Sequence, residues 1–386
     1  MIILYIILAV LILLLMITIH ELGHYTAGKL LGFGINEFSV GLGPKIISKR
    51  LKTGEEVSLR ALPLGGYCAF SGEDDGAEAK ENDDSLSFDN RRSDIDKTEK
   101  FCSNEQNSGE KTDKQDSVSI DSGRHLFFEQ KPWKRIIVLL MGPLFNLLSA
   151  FVFSFIYILA VGYAVPVITD LSVDPVTGEP YAVMFEVGDV ITAINGEKIT
   201  FLKSSNELFS ETNDDANIFT IERDGKELDI VSSKHQIGED KKFGFTLSYE
   251  SRSVNVVEAV GYSFPYTFEL SWLILRSFGM LLTGGVSVTD VTGPVGTVAT
   301  IATYAQSDPR YFLLFLPLIA SNLAIFNLLP FPALDGARIV FTAIEWVRGK
   351  PINKKVEGMI HAIGLIVLIV CVIVIDIIGM AARYIL

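Results

Sequence analysis

The chain has 386 residues, of which 49% are hydrophobic, and a mean hydropathy of +0.35. The apolar residues fall in long blocks rather than at the spacing of soluble helices or strands, which points to a membrane protein and away from a soluble enzyme. The formal net charge is −13, but much of it sits in one polar tract, Glu73 to Asp121, so it defines no partner and gives no reason to expect nucleic acid.

Ile2 to Ile19 is apolar throughout apart from Thr18, and a helix needs about 20 such residues to cross the hydrocarbon of a bilayer. It has no basic leader and runs into His20-Glu21-Leu22-Gly23-His24 without a small-residue cleavage site, so it reads as a retained span and not a signal peptide. Residues 1–33 form the expected first transmembrane helix. In 34–70, Phe38 to Pro44 and Pro63 to Tyr67 flank an alternating segment, Lys45 to Leu62, that predicts a membrane-associated β-hairpin. Its glycines are no phosphate loop, because no strand-to-helix turn follows. Residues 71–130 are rich in Ser, Asp, Glu, Asn and Lys and have too little apolar surface to offset ordering entropy. A disordered, solvated insertion is expected, with a regulatory docking segment as the sharper alternative.

Residues 131–167 hold a second span, with an apolar run from Ile136 to Val167. In 168–250, Asn195-Gly196 and Asp224-Gly225 each separate alternating apolar strands, a strong hairpin signal. Gly188-Asp189-Val190-Ile191 with Ile194-Asn195-Gly196 resembles the signature of PDZ domains, which bind chain ends by strand addition. Met184-Phe185-Glu186-Val187 departs from the small-residue step usual before it. Within 251–311, Glu258, Glu269 and Arg276 interrupt the apolar stretch Val254 to Leu282, predicting an amphipathic helix at the interface or packed on the core. Residues 312–347 carry a third span, apolar from Phe312 to Leu329. Residues 348–386 carry a basic loop and a fourth span, apolar from Met359 to Ile378. The expected fold is a polytopic α-helical membrane protein of about four transmembrane helices, with the β-hairpin and an inserted β-rich PDZ-like domain.

Basic residues in short loops mark the cytoplasmic side. Lys29, Lys45, Lys49, Arg50, Lys52 and Arg60 follow the first span, Lys131, Lys134 and Arg135 precede the second, and Arg348, Lys350, Lys354 and Lys355 precede the fourth. All fall on one side if each segment crosses, which puts the PDZ-like domain outside and the 71–130 insertion in the cytoplasm. Cys68, Cys102 and Cys371 lie far apart and form no C-x-x-C pair, so they suggest neither a disulfide framework nor a thiolate metal site.

The chemistry concentrates in His20-Glu21-Leu22-Gly23-His24. Residues four apart share a helix face, so both imidazoles can reach one zinc ion while Glu21 reaches the water it activates. Such polar groups at the end of a span are costly unless they have a task. A catalytic zinc usually has three protein ligands. The third is sought among Asp335, late in the third span and also readable as a turn aspartate after Pro330 and Pro332, and His361, which reads more readily as a packed residue early in the fourth span.

His20 to His24 in the first span, Gly142-Pro143-Leu144-Phe145-Asn146 in the second, the PDZ-like insert, and Ser321-Asn322 through Asn327-Leu328-Leu329-Pro330 to Leu334-Asp335-Gly336 in the third resemble the site-2 protease family. Its bacterial members are intramembrane zinc metalloproteases that cleave membrane-bound anti-sigma factors. The resemblance implies one zinc per chain bound by His20, His24 and Asp335, with Glu21 as general base and acid and Asn146, Asn322 and Asn327 near the substrate. It implies membrane-spanning protein substrates, a possible peptide or protein ligand for the PDZ-like domain, and residence in the bacterial cytoplasmic membrane. The other reading is a non-enzymatic scaffold or transporter, for which repeated halves and more spans would be expected.

Overall fold

The computed structural model describes residues 2–73, 126–200, 205–237, 240–285, 291 and 293–384; residues 74–125 of the expected insertion lie outside these residues, while its end is ordered, because Phe127–Glu129 forms a short 3₁₀ helix that buries Phe127 in an apolar core with Phe33 and Phe70. Among the described residues, four helices are long and apolar enough to cross a membrane: Ile3–Leu31, Pro132–Val161, Tyr311–Leu328 and Lys354–Gly379. Helix α1 (Ile2–Leu31) runs without a break through the His-Glu motif, so His20 and His24 sit on its side and not at its end. Helix α2 (Pro132–Val161) starts on a proline whose missing N–H costs nothing in a first turn. It stops at Gly162, where φ is 95°. The apolar run that the sequence reads as one span to Val167 is therefore divided, and from Tyr163 it continues as a strand. Pro166 and the β-branched valines around it suit a strand better than a helix interior.

Between α1 and α2 lie two long antiparallel strands, β1 (Ile35–Arg50) and β2 (Glu56–Phe70). Both bend, so Glu37 to Val40 pairs on one side with Glu56 to Leu59 and on the other with Gly66 to Ala69. The sheet is thus broader than a simple hairpin, and Gly66 to Phe70 forms one of its edges. The β-rich region comprises β3 (Tyr163–Leu171), β4 (Val190–Ile194), β5 (Glu197–Lys198), helix α3 (Ser205–Ser210), β6 (Asn217–Arg223), β7 (Lys226–Ser232), β8 (His235–Ile237), β9 (Asp240–Lys242) and β10 (Phe245–Arg252). Its main sheet has the order β10-β3-β4-β6-β7, with β5 on β4. Ile168, Ile191, Ile194, Phe219 and Ile221 fill its core. Asn195 and Asp224 take positive φ at the two tight turns, as hairpin turns of this kind require. Asp189 of the Gly-Asp signature is buried, accepting from Arg223 Nε and Nη2 at 2.7 Å and from the Glu186 N–H.

The stretch that the sequence left as amphipathic resolves into α4 (Val256–Thr283) and α5 (Pro294–Ser307). Glu258 completes a capping box with Asn255, which explains one of the charges that interrupt the apolar pattern. α4 buries Ser263, Thr267 and Ser271 beside Ala259, Tyr266 and Leu270, with Thr267 bonded to Ser154 of α2 at 2.9 Å, and turns Phe264, Phe268 and Trp272 outward. Small polar residues on the buried face are what a helix packed among membrane helices shows. Helices α6 (Tyr311–Leu328), α7 (Asp335–Arg348) and α8 (Lys354–Tyr384) complete the chain. α2 touches α1, α4, α6 and α7, while Ala9, Ile12, Met16, Ala150, Ile301 and Ile319 form a core joining α1, α2, α5 and α6.

Candidate metal centre

The cluster is assembled from two helices. α1 supplies His20 and His24 one turn apart, with ring centroids 4.8 Å from each other. Asp335, in the first turn of α7, brings its Oδ2 to 2.9 Å from His20 Nε2 and 3.2 Å from His24 Nε2. The two Nε2 atoms are 3.2 Å apart. Both histidines are buried, and the three donor atoms all lie within 4.8 Å of one another.

The rings are held from behind. His24 Nδ1–H donates to the Val138 carbonyl of α2 at 2.8 Å, which leaves Nε2 as the lone-pair atom facing the cluster. His20 Nδ1 lies 3.2 Å from the Asn146 amide nitrogen and 3.5 Å from that of Asn327. Asn146 is fully buried and its Oδ1 has no partner among the described residues. Turned end for end, the amide would accept from His20 Nδ1–H, freeing His20 Nε2 as a ligand atom and satisfying Oδ1; amide orientation is assigned from such networks. Asn322 is not brought to the cluster: it is exposed, and five residues along a helix place it about 140° around α6 from Asn327.

Close backbone approach makes this possible. A Cβ on Gly142 would lie 2.3 Å from His24 Nε2, so only glycine lets the ring rest against α2. Pro143 beside it cannot donate to the carbonyl four residues back and loosens the helix wall there. At α7, a Cβ on Gly336 would meet the Leu329 carbonyl at 2.2 Å, so the start of α7 can fold directly onto the end of α6. His361 does not join the cluster. Its Nδ1 accepts the Ala333 N–H at 3.0 Å, so it braces the turn that delivers Asp335, a role the sequence did not reveal. Arg338, one helical turn past Asp335, pairs with Glu73 and stands over the Phe127 ring.

Glu21 follows His20 on α1, and its carboxylate is hydrogen-bonded by the backbone of Cys68 on the β2 edge. A Cβ on Gly66 would come within 3.2 Å of Glu21 Cγ. The edge strand therefore passes directly beside the carboxylate.

Two nitrogens and a carboxylate oxygen converge between membrane helices, with the remaining imidazole nitrogens engaged elsewhere, a donor set that could hold a metal ion. The chain belongs to Peptidase family M50, the site-2 protease family of zinc metalloproteases, whose family model matches residues 8–371. It is 30% identical to the zinc metalloprotease RasP of Geobacillus kaustophilus over 92% of this chain and 93% of that protein. It is 28% identical to the regulator of sigma-W protease RasP of Bacillus subtilis, with coverage of 92% and 93%. Zinc is accordingly the metal of this enzyme.

Proposed function

We propose that this protein is an intramembrane endopeptidase in which His20, His24 and Asp335 hold the zinc and Glu21 moves the proton. The observation that carries this reading is the meeting of Asp335 Oδ2 with both histidine Nε2 atoms, across more than half the chain. The donor set fits: two neutral imidazoles and one carboxylate are a known catalytic zinc set, with a position left for water or substrate. Zinc held there polarises a carbonyl and makes water more acidic. Glu21 takes a proton from the attacking water and returns it to the leaving amide nitrogen. Asn146 orients His20, and Asn327 stands at the rim of the cluster, where it can reach a substrate backbone.

The free edge from Gly66 to Phe70 offers backbone N–H and C=O groups to an extended chain beside Glu21, which suits substrates that must be unwound before cleavage. Such substrates are membrane-spanning proteins. The sigma-W name of the Bacillus subtilis relative suggests regulators of sigma factors as one class. By the distribution of basic loops, the β-rich region is extracytoplasmic and the insertion cytoplasmic, and the Gly188-Asp189 signature supports reading that region as a PDZ-like module. The test is Glu21→Gln in purified protein with a single-span model substrate. Zinc content should stay at about one per chain while cleavage falls about 10²–10⁴-fold. Unchanged cleavage, or cleavage lost together with zinc, would defeat the assignment of Glu21.

A further inference from the structure

Three of the basic residues that precede the second and fourth apolar segments, Arg135, Lys350 and Lys354, are far apart in sequence yet line one cleft. It has a volume of about 440 Å³ and opens where the first turn of α2, the last turn of α7 and the first turn of α8 meet. Arg135 and Gln130 line it from one side and Lys350 and Lys354 from the other, with Phe128 between them. The Phe128 ring has Lys354 Nζ at 4.0 Å and the Arg135 guanidinium at 5.7 Å.

Two residues that line this cleft carry buried donors without acceptors. Arg135 is 3% exposed and Gln130 is 8% exposed, and neither Arg135 Nε nor Gln130 Nε2 has a hydrogen-bond partner among the described residues. Arg135 Nη2 is taken by Glu345, but Nε–H can only donate, and a buried donor left unmet is costly. Glu345 lines the cleft and is already engaged by Arg135 and by the Ile352 N–H at 2.9 Å, and Glu357 stands close enough to act on Arg135 and Lys354. Lys350 and Lys354 are exposed and bring further positive charge. Helix α2 has no side-chain cap at its N-terminus, which adds its own partial positive charge. Trp133 and Trp346 are exposed on either side, as aromatic residues are where a membrane meets water.

We infer that this cleft is a phosphate-binding site, filled by the phosphodiester headgroup of an anionic phospholipid in the adjoining leaflet or by free phosphate. An oxyanion there accepts from Arg135 Nε and Gln130 Nε2 and neutralises Lys350 and Lys354, the chemistry of basic headgroup pockets between membrane helices. It also ties the first turns of α2 and α8 to α7, the helix whose first residue is Asp335. The site is independent of the metal reading and does not rest on it.

The full-length protein is placed in nanodiscs of phosphatidylcholine alone, of phosphatidylcholine with phosphatidylglycerol, and of phosphatidylcholine with inorganic phosphate against chloride at equal ionic strength. Lipid retention is read by native mass spectrometry, and thermal unfolding is followed in each. Phosphatidylglycerol should be retained and should raise the unfolding temperature. Lys350→Ala with Lys354→Ala, and separately Gln130→Leu, should weaken that retention about tenfold or more, with zinc content unchanged. Stabilisation by inorganic phosphate without selective lipid retention assigns the same site to free phosphate. A parent protein that neither distinguishes the two lipids nor responds to phosphate overturns the inference. So do lysine variants that retain phosphatidylglycerol like the parent, and because those lysines are exposed, their removal leaves the fold to be compared directly.

Discussion

Ala333 has a φ of 80°, a left-handed conformation that a residue with a Cβ adopts at a cost of about 1–3 kcal/mol. The turn from Pro330 to Leu334 holds it there, with its N–H given to His361. Ala333→Gly should relieve that strain and leave zinc content intact, whereas His361→Ala removes the acceptor and should let zinc be stripped faster by a chelator. Equal stripping rates in His361→Ala and the parent would remove His361 from the support of Asp335. Glu37 is a second local case. Burial acts to raise its pKa, but hydrogen bonds from Ser58, Arg60 and Tyr67 outweigh it and hold the carboxyl at about 2, against an ordinary value of 4.5. A depressed carboxyl contributes stability that is complete above about 4.5 and lost as pH falls toward about 2. The parent's advantage in unfolding temperature over Glu37→Gln should therefore shrink across that window, and an advantage independent of pH would contradict the assignment. The His-Glu motif was legible because its spacing equals one helical turn. The part of His361 was not, since nothing local ties residue 361 to residue 333.

Among the elements, α2 does the most to shape the centre without supplying a proposed ligand. Val138 fixes the His24 ring, Asn146 faces His20, and Gly142 lets the helices meet. Gly142→Ala should therefore lower zinc occupancy several-fold in metal analysis while the protein still inserts and folds, because the added methyl displaces His24. Full occupancy in that variant would show that α1 and α2 can separate without cost to the centre. Apolar length alone marked the four long helices, since a bilayer demands about 20 apolar residues per crossing. It did not mark where α2 ends, because Ala164 to Val167 are as apolar as the helix before them and only Gly162 and Pro166 carry the signal. It left α4 as an amphipathic helix either at the interface or on the core; packing decided for the core, where Ala259, Tyr266 and Leu270 are buried together with Ser263, Thr267 and Ser271.

At the scale of the whole molecule, the acidic insertion leaves and rejoins the fold at one point. The Phe127 N–H donates to the Ser71 carbonyl at 2.8 Å, and Glu73 is paired with Arg338 just beyond Asp335. Replacing residues 74–125 by a short Gly-Ser bridge should accordingly preserve zinc content and cleavage of the model substrate. Loss of folding in that deletion would mean that the insertion supplies part of the core. The long apolar helices, the turns of the two β-hairpins and the His-Glu-x-x-His spacing were all legible in the chain, because each depends on residues within about one element's reach. Packing brought Asp335 to the histidines, made His361 a brace, left Asn322 outside, and set Arg135, Lys350 and Lys354 around one cleft. Those are contacts between segments far apart in the chain, and they are set by how helices pack rather than by any local pattern.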